Sequence, residues 1–529
     1  MFINNYKYFH LAKTYANGFS VILFLFSILF LFKSFLNIEN LLIKYSRELF
    51  IFTLFLVFMS LFIMVNSRYY SFNYYADLAN NLEIFYRLRR GDGITSPMFY
   101  ATGVRAIHWF SHHFSPLIYI IVFPFFYIFP FFQTIIILEI TVILSSSIAI
   151  TLIAKEILFS KSGYFLGLCF LLYPTIHFTL LYDFGLLQFC IGFISWMIYF
   201  FIKRNYAIYY LFLILALICR EDVGLTLIFW GVYITIIKKE YREGVFTIIL
   251  SVIYTYITLV HIMPYFQENH NFHHIGNFAR YGKSIYDIFT HIISNPITVI
   301  LDQLTLVKVM NFSMFMLPLG FLVLLSPSVF LITIFNLSYL FLSETISSYS
   351  YFLYYTSPSI PFFFLATIYS VRKLEDNGII NAQLYLVIWA VLINIFFSPS
   401  IISKSFWLEE YKLGNFYTTN WHKSIYKYKN RNNYVYEALS MIPDEAIVIA
   451  SMPILPHLYK KKEIYIFTGL GSKSYNLEID PDFILIDWKH KIQTGYRDKP
   501  NFYRKQLGEN SKLSIVYDKD GVILYKNTK

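Results

Sequence analysis

A chain of 529 residues that is 57% hydrophobic and 21% aromatic but only 14% charged is too apolar for an ordinary soluble domain. Its net charge of +11 would suit a nucleic-acid binder, yet the Lys and Arg residues sit mainly in short connections and in the tail. Membrane topology and anionic lipid head groups account for them there, so membrane lipid is an expected partner and nucleic acid is not.

Apolar runs that suit crossing about 30 Å of hydrocarbon recur at 18–38, 48–65, 132–154, 163–181, 185–203, 205–219, 222–238, 244–262, 312–326, 328–343, 358–371 and 378–398. They predict a polytopic α-helical membrane protein of about 11–13 transmembrane helices. The first run is too long and too late for a cleaved leader and lacks a small-residue cleavage site, so it is read as retained. Cys169, Cys190 and Cys219 fall within such runs and serve as small apolar fillers. The expected organisation is N-terminal spans over 1–65, a first exoplasmic loop over 66–115, a helical core over 116–398, a linker over 399–433 and an exoplasmic α/β domain over 434–529.

The stretch "YADLANNLEIFYRLRRGDG" (75–93) follows a span. Leu78, Leu82, Phe85 and Leu88 recur at helical spacing, which predicts an amphipathic helix lying on the membrane. Arg87, Arg89 and Arg90 suit lipid head groups, and Asp77 suits either a helix cap or a functional carboxylate. The next stretch, 116–130, carries Pro116, Pro124 and Pro130 and is expected to be broken or re-entrant, with no net crossing. That reading reconciles the basic turns around Lys155 and Lys161, Lys203 and Arg204, Lys238, Lys239 and Arg242, and Arg372 and Lys373, all of which belong in the cytoplasm. The connections between those turns are then exoplasmic, and they carry Asp183, "RED" at 220–222 and "ETISSYSYFLYYTSPS" at 344–359.

Ionisable groups at span ends are costly unless paired, hydrated or liganded, which makes Asp77, Asp183, Glu221 and Asp222 functional candidates. Capping by Asp222 and pairing of Glu221 with Arg220 are the structural alternatives. "ENHNFHH" (268–274) offers His270, His273 and His274 as metal ligands, against no closed zinc pattern. No P-loop, dinucleotide fingerprint, nucleophile elbow or HExxH motif is present. From about 434 the chain turns polar, and "AIVIAS", "EIYIF", "DFILIDW", "LSIVY" and "GVILYK" read as short strands of a small α/β domain, with a turn at "KDG".

The segments "RYYSFNYYADLANNLE" (68–83), "HHFSPLIYIIVFPFFYIFP" (112–130), "YPTIHFTLLYDFG" (173–185), "REDVGL" (220–225), "YFLYYTSPSIPFF" (351–363), "IPDEAIVIASMPILPHLYKKKEIYIF" (442–467) and "PDFILIDW" (481–488) together resemble the DUF2079 family of membrane proteins. That family looks like a branch of the GT-C superfamily, whose glycosyltransferases use polyprenyl-phosphate sugars. The resemblance implies a GT-C-like fold and transfer of a sugar from a polyprenyl-phosphate donor to an unidentified acceptor on the exoplasmic face. It implies a catalytic or metal-binding role for Asp77, with Glu221 and Asp183 as further catalytic or metal-ligating acids and Mg²⁺ or Mn²⁺ as the ion, if one is used. His113, Arg220, Asp222, Arg280, Lys283, Tyr354 and Tyr355 are the expected substrate-binding residues, and His457 falls in a matching segment of the tail. Gly185 stands where the family tends to have a histidine, which weakens a metal site built on Asp183. The competing expectations are a lipid or solute transporter, with acids lining a path through the membrane, and a non-catalytic envelope protein whose acids are scattered.

Overall fold

A computed structural model describes residues 36–98, 107–158, 163–266, 273–379, 382–408, 421–467, 480–490 and 500–528. The run at 18–35 therefore lies outside the described residues. Most of the other apolar runs became helices close to their expected bounds.

Three helices are long and apolar enough to cross a membrane by themselves, namely Ser46–Tyr70, Phe132–Ile157 and Tyr241–Tyr265. Two bent pairs, Tyr164–Leu171 with Pro174–Tyr182 and Pro296–Gln303 with Leu306–Leu319, pass the same test together. Six shorter apolar helices complete the set among the described residues. By length and composition the described residues hold three such spans, or five if each bent pair is one, and the other apolar runs among them form helices shorter than 18 residues.

Proline explains one break. Pro174 follows Tyr173 in extended backbone and has no N–H to give, so the helix ending at Leu171 restarts at a 45° angle. Side chains satisfy the orphaned carbonyls: His177 Nε2 lies 2.7 Å from Leu171 O, and Asn394 Nδ2 donates to Leu172 O at 2.8 Å. The polar residues seen in the apolar runs here are repairs to the backbone.

The basic turns meet at one end of the bundle. Lys203 pairs with Glu156 at 3.0 Å, Arg204 with Glu240 at 3.1 Å, Lys238 donates to Tyr369 Oη at 2.6 Å, and Arg372 donates to Ile157 O at 2.7 Å. The helices that start there, Tyr206–Leu217 among them, run to the opposite end, where the acidic connections lie. The stretch 116–130 stays at that opposite end: Leu117 N donates to Ile218 O at 3.2 Å, and Pro130 O accepts from Tyr459 Oη at 3.0 Å. Its helical part, Ile118–Ile128, spans only about 16 Å at 1.5 Å per residue. The conflict between charge and hydropathy in this region disappears with a segment that returns to the end it left.

Beyond two short pieces, β1 (Thr95–Ser96) and β2 (Ile107–His108), the strands lie in the tail: β3 (Ile447–Ala450), β4 (Glu463–Ile466), β5 (Phe483–Asp487), β6 (Leu513–Lys519) and β7 (Val522–Asn527). They form one sheet in the order β4-β3-β5-β7-β6, with parallel pairing at β4-β3-β5 and antiparallel pairing beyond. The β6–β7 hairpin turns through Asp520 and Gly521, both at positive φ, which suits the strand twist.

The helix Ala76–Arg90 is where the two parts meet. Gly91 at φ +87° terminates it, and Arg87, Arg89 and Arg90 in its last turn favour the negative helix end. Eight consecutive residues, Leu78 to Phe85, are buried. Leu78, Leu82, Ile84 and Phe85 join the core of the helical bundle, while Ala79 packs with Phe72, Met98, Val435, Ile454 and Leu455 in the core of the tail. The expected helix lying on the membrane is instead clamped between bundle and tail, because the tail covers its outer face.

Candidate functional site

Five connections converge at the acidic end of the bundle, and each brings one of the residues singled out in the sequence. Asp77 stands in the first turn of Ala76–Arg90. The N-cap position is Tyr75 and not Asp77, so capping does not explain the residue; its carboxyl is half-buried and hydrogen-bonded to the hydroxyl of Tyr354. Tyr354 and Tyr355 lie in a short 3-10 turn with ring centroids 4.7 Å apart, and Tyr182 stands 6.4 Å from Tyr354 and stacks on Tyr75 at 5.3 Å. An acid at the apolar boundary is thus walled by tyrosines.

Asp183 ends the helix Pro174–Tyr182 and is buried. Its Oδ1 accepts the Phe184 backbone N–H at 2.9 Å, and the backbone amide of Leu78, in the first turn of the Asp77 helix, also points to this carboxyl. One chain segment thereby caps a helix supplied by another. The second oxygen, Oδ2, is buried with no hydrogen-bond partner in the structure. Burial, and then the charge of Asp77, hold the Asp183 carboxyl well above the usual carboxylate range; burial raises Asp77 itself to about 6, with the Tyr354 hydrogen bond acting against it.

The "RED" loop divides its charges differently from either structural alternative. Arg220 pairs with Asp222 through Nε at 2.6 Å and Nη2 at 2.5 Å, and the hydroxyl of Tyr339 donates to the same carboxylate. Asp222 makes no cap bond to the helix Val223–Tyr233. Burial works against its ionised form, but the Arg220 guanidinium and these hydrogen bonds outweigh it and hold the carboxyl below the ordinary value. Glu221 faces away from Arg220: its Oε1 lies 2.9 Å from His113 Nδ1, and its Oε2 accepts the Phe114 backbone N–H at 2.9 Å. Burial raises Glu221 to about 7, with Arg220 lowering it in part. The guanidinium of Arg220 lies 5.6 Å over the ring of Tyr355, which links the loop to the Asp77 cluster.

Asp77, Asp183, Arg220, Asp222, Tyr354 and Tyr355 are therefore one connected cluster, and Glu221 with His113 forms an adjoining pair. Arg280 and Lys283 are not part of it: both are exposed, and Arg280 is paired with Asp302 at 2.6 Å. His457 packs against Tyr69 and Phe72, with Nε2 3.0 Å from Tyr69 O, and holds the tail on the end of Ser46–Tyr70. His270 lies outside the described residues, and His273 and His274 open the 3-10 helix His273–Phe278. Among the described residues no three His, Cys, Asp or Glu side chains are grouped to hold a metal ion, since Glu221 is engaged elsewhere. Asp77 and Asp183, with the unpartnered Oδ2 of the latter, are what a divalent ion would find.

Two residues under the cluster escaped the sequence reading. Arg68 is fully buried at the end of Ser46–Tyr70, donates to Asn73 O at 2.8 Å and Tyr182 O at 2.7 Å, and lies over the rings of Tyr74, Tyr75 and Trp421. It is the cation closest in role to Asp183, and its position at a span end was the signal for it. Glu139 is buried inside Phe132–Ile157, where Gly185 N approaches it at 3.5 Å.

The model of a family described as "Predicted membrane protein (DUF2079)" matches residues 91–524. No curated protein matches the chain.

Proposed function

Because the chain belongs to the DUF2079 family of predicted membrane proteins, and its acids gather where apolar helices end, we propose that it is a membrane-embedded glycosyltransferase of the GT-C kind. In this reading it moves a sugar from a polyprenyl-phosphate donor to an acceptor on the exoplasmic face, where the tail domain also lies. The observation that carries it is the Asp77–Tyr354 pair, set beside Asp183 and linked through Tyr355 to Arg220. A donor with a lipid tail requires a site at the boundary of the hydrocarbon. The acceptor hydroxyl attacks the anomeric carbon, its proton passes to Asp77, and the bond from that carbon to the phosphate oxygen breaks with its electron pair left on phosphate. Arg220, with Nε and Nη2 held by Asp222, is the cation that would stabilise the departing phosphate. Asp183 positions the helix that carries Asp77. In the alternative in which Asp77 is a metal ligand and not the base, the Asp77–Asp183 pair would hold Mg²⁺ or Mn²⁺, which would supply neutralisation of phosphate charge.

The test is transfer by the full chain in proteoliposomes supplied with polyprenyl-phosphate sugars. Asp77→Asn is expected to lower turnover by at least ~10²-fold, the usual worth of a general base, with an unchanged melting temperature. A fully active variant would remove Asp77 from the role. Glu139 favours a second reading, since an acid buried within a long apolar helix is also what a coupled transporter uses. Solute uptake lost in Glu139→Gln but kept in Asp77→Asn would establish that reading instead.

A further inference from the structure

The helices Ile285–Ser294 and Pro296–Gln303 are built the wrong way round for water. Tyr286, Phe289, Ile293, Ile297, Ile300 and Leu304 are each 61–75% exposed. Three of its polar groups tie it to its neighbours: Gln303 Nε2 donates to Tyr281 Oη at 2.9 Å and Gln303 Oε1 accepts from Lys308 Nζ at 2.7 Å, Asp302 pairs with Arg280, and His291 lies 5.6 Å from the Tyr281 ring. A soluble amphipathic hairpin buries its apolar stripe; this segment shows it, while Asp302 and Gln303 are engaged and Asp287, Ser294, Asn295 and Thr298 remain exposed beside it. Exposed apolar area of this extent needs a partner.

The site lies at both ends of the segment. Upstream, Phe266 stacks on His108 at 3.9 Å, five residues before His113. Also upstream, Asn277 O accepts from Glu344 N at 2.9 Å, and downstream Lys308 lies 5.2 Å over the Tyr349 ring, both on the connection that leads to Tyr354 and Tyr355. Pro296–Gln303 bends by 74° from Leu306–Leu319, so if the latter runs along the membrane normal the former lies close to the membrane plane.

We propose that residues 285–304 form an interfacial hairpin that sinks its apolar face into the lipid leaflet at the site's end of the bundle. The partner is the acyl hydrocarbon of the bilayer. The inference rests on membrane family membership and on which groups are exposed, and it holds whatever reaction the acids perform.

Nitroxide labels test it in the full chain, reconstituted in phosphatidylcholine and phosphatidylglycerol vesicles, with the three buried native cysteines replaced by alanine. Labels at Phe289→Cys and Ile297→Cys are compared with Phe52→Cys on the exposed face of Ser46–Tyr70 and with Lys460→Cys on the tail surface. Oxygen is expected to relax the 289 and 297 labels several-fold more than a water-soluble nickel chelate does, as at 52 and opposite to 460. Dominance of the nickel chelate would show a face in water and overturn the proposal. Low access to both reagents would show a face covered by protein, such as a second copy, and would overturn it as well.

Discussion

At the scale of single residues, the environment separates acids that look alike in the sequence. Asp222 is ionised by its Arg220 and Tyr339 partners, while Glu221, one position away, is raised to about 7 by burial and turned to His113. Asp77 is raised to about 6; under the proposed role as base it must be deprotonated, which predicts a rate of transfer that rises as pH increases through about 6. Because the Tyr354 hydrogen bond favours the ionised carboxylate, its loss in Tyr354→Phe should move this limb to higher pH and lower the rate below it. A pH–rate profile of the two proteins checks this; an unmoved limb would mean that Asp77 does not set it. That an acid would sit here was legible in the sequence from its place after a span. Tyr354 was among the expected binding residues, but its pairing with Asp77 was not legible, because it arrives from 277 residues downstream.

At the scale of elements, helix positions were readable and helix continuity was not. Apolar composition predicts 163–181 as one span, while the hydrogen-bonding deficit at Pro174 bends it by 45°. The loop bearing Arg220, Glu221 and Asp222 is held by close packing of Val223–Tyr233 on Tyr241–Tyr256, where a Cβ on Gly231 would lie 2.9 Å from Gly244 O and 2.7 Å from Ile248. Gly231→Leu should therefore cost about 1–3 kcal/mol by overpacking and lower the melting temperature in detergent. Gly276→Ala, with nothing within 4 Å of the added carbon, should leave it unchanged. Equal melting temperatures for both variants would show that the helix pair separates freely.

At the scale of the whole molecule, the tail completes the site's support. Val435, Ile454 and Leu455 share a core with Phe72, Ala79 and Met98, and Arg90 donates to Lys461 O at 3.4 Å and Lys462 O at 3.2 Å. Removing residues 430–529 should uncover the helix that carries Asp77, and trypsin should then cut at Arg87, Arg89 and Arg90 several-fold faster than in the full chain; equal rates would show that the helix holds without the tail. By itself the sequence determined the membrane setting, the order of apolar elements, the five tail strands and the shortlist of acids at helix ends, since hydropathy, periodicity and charge are local properties. Only the tertiary structure decided which acid pairs with which cation, that Asp183 meets the start of the Asp77 helix while Arg68 ties the turn before it to Tyr182, and that this helix is clamped rather than lying on lipid. Those outcomes depend on which segments, often more than a hundred residues apart, compete for the same buried charge, and that competition is settled by packing.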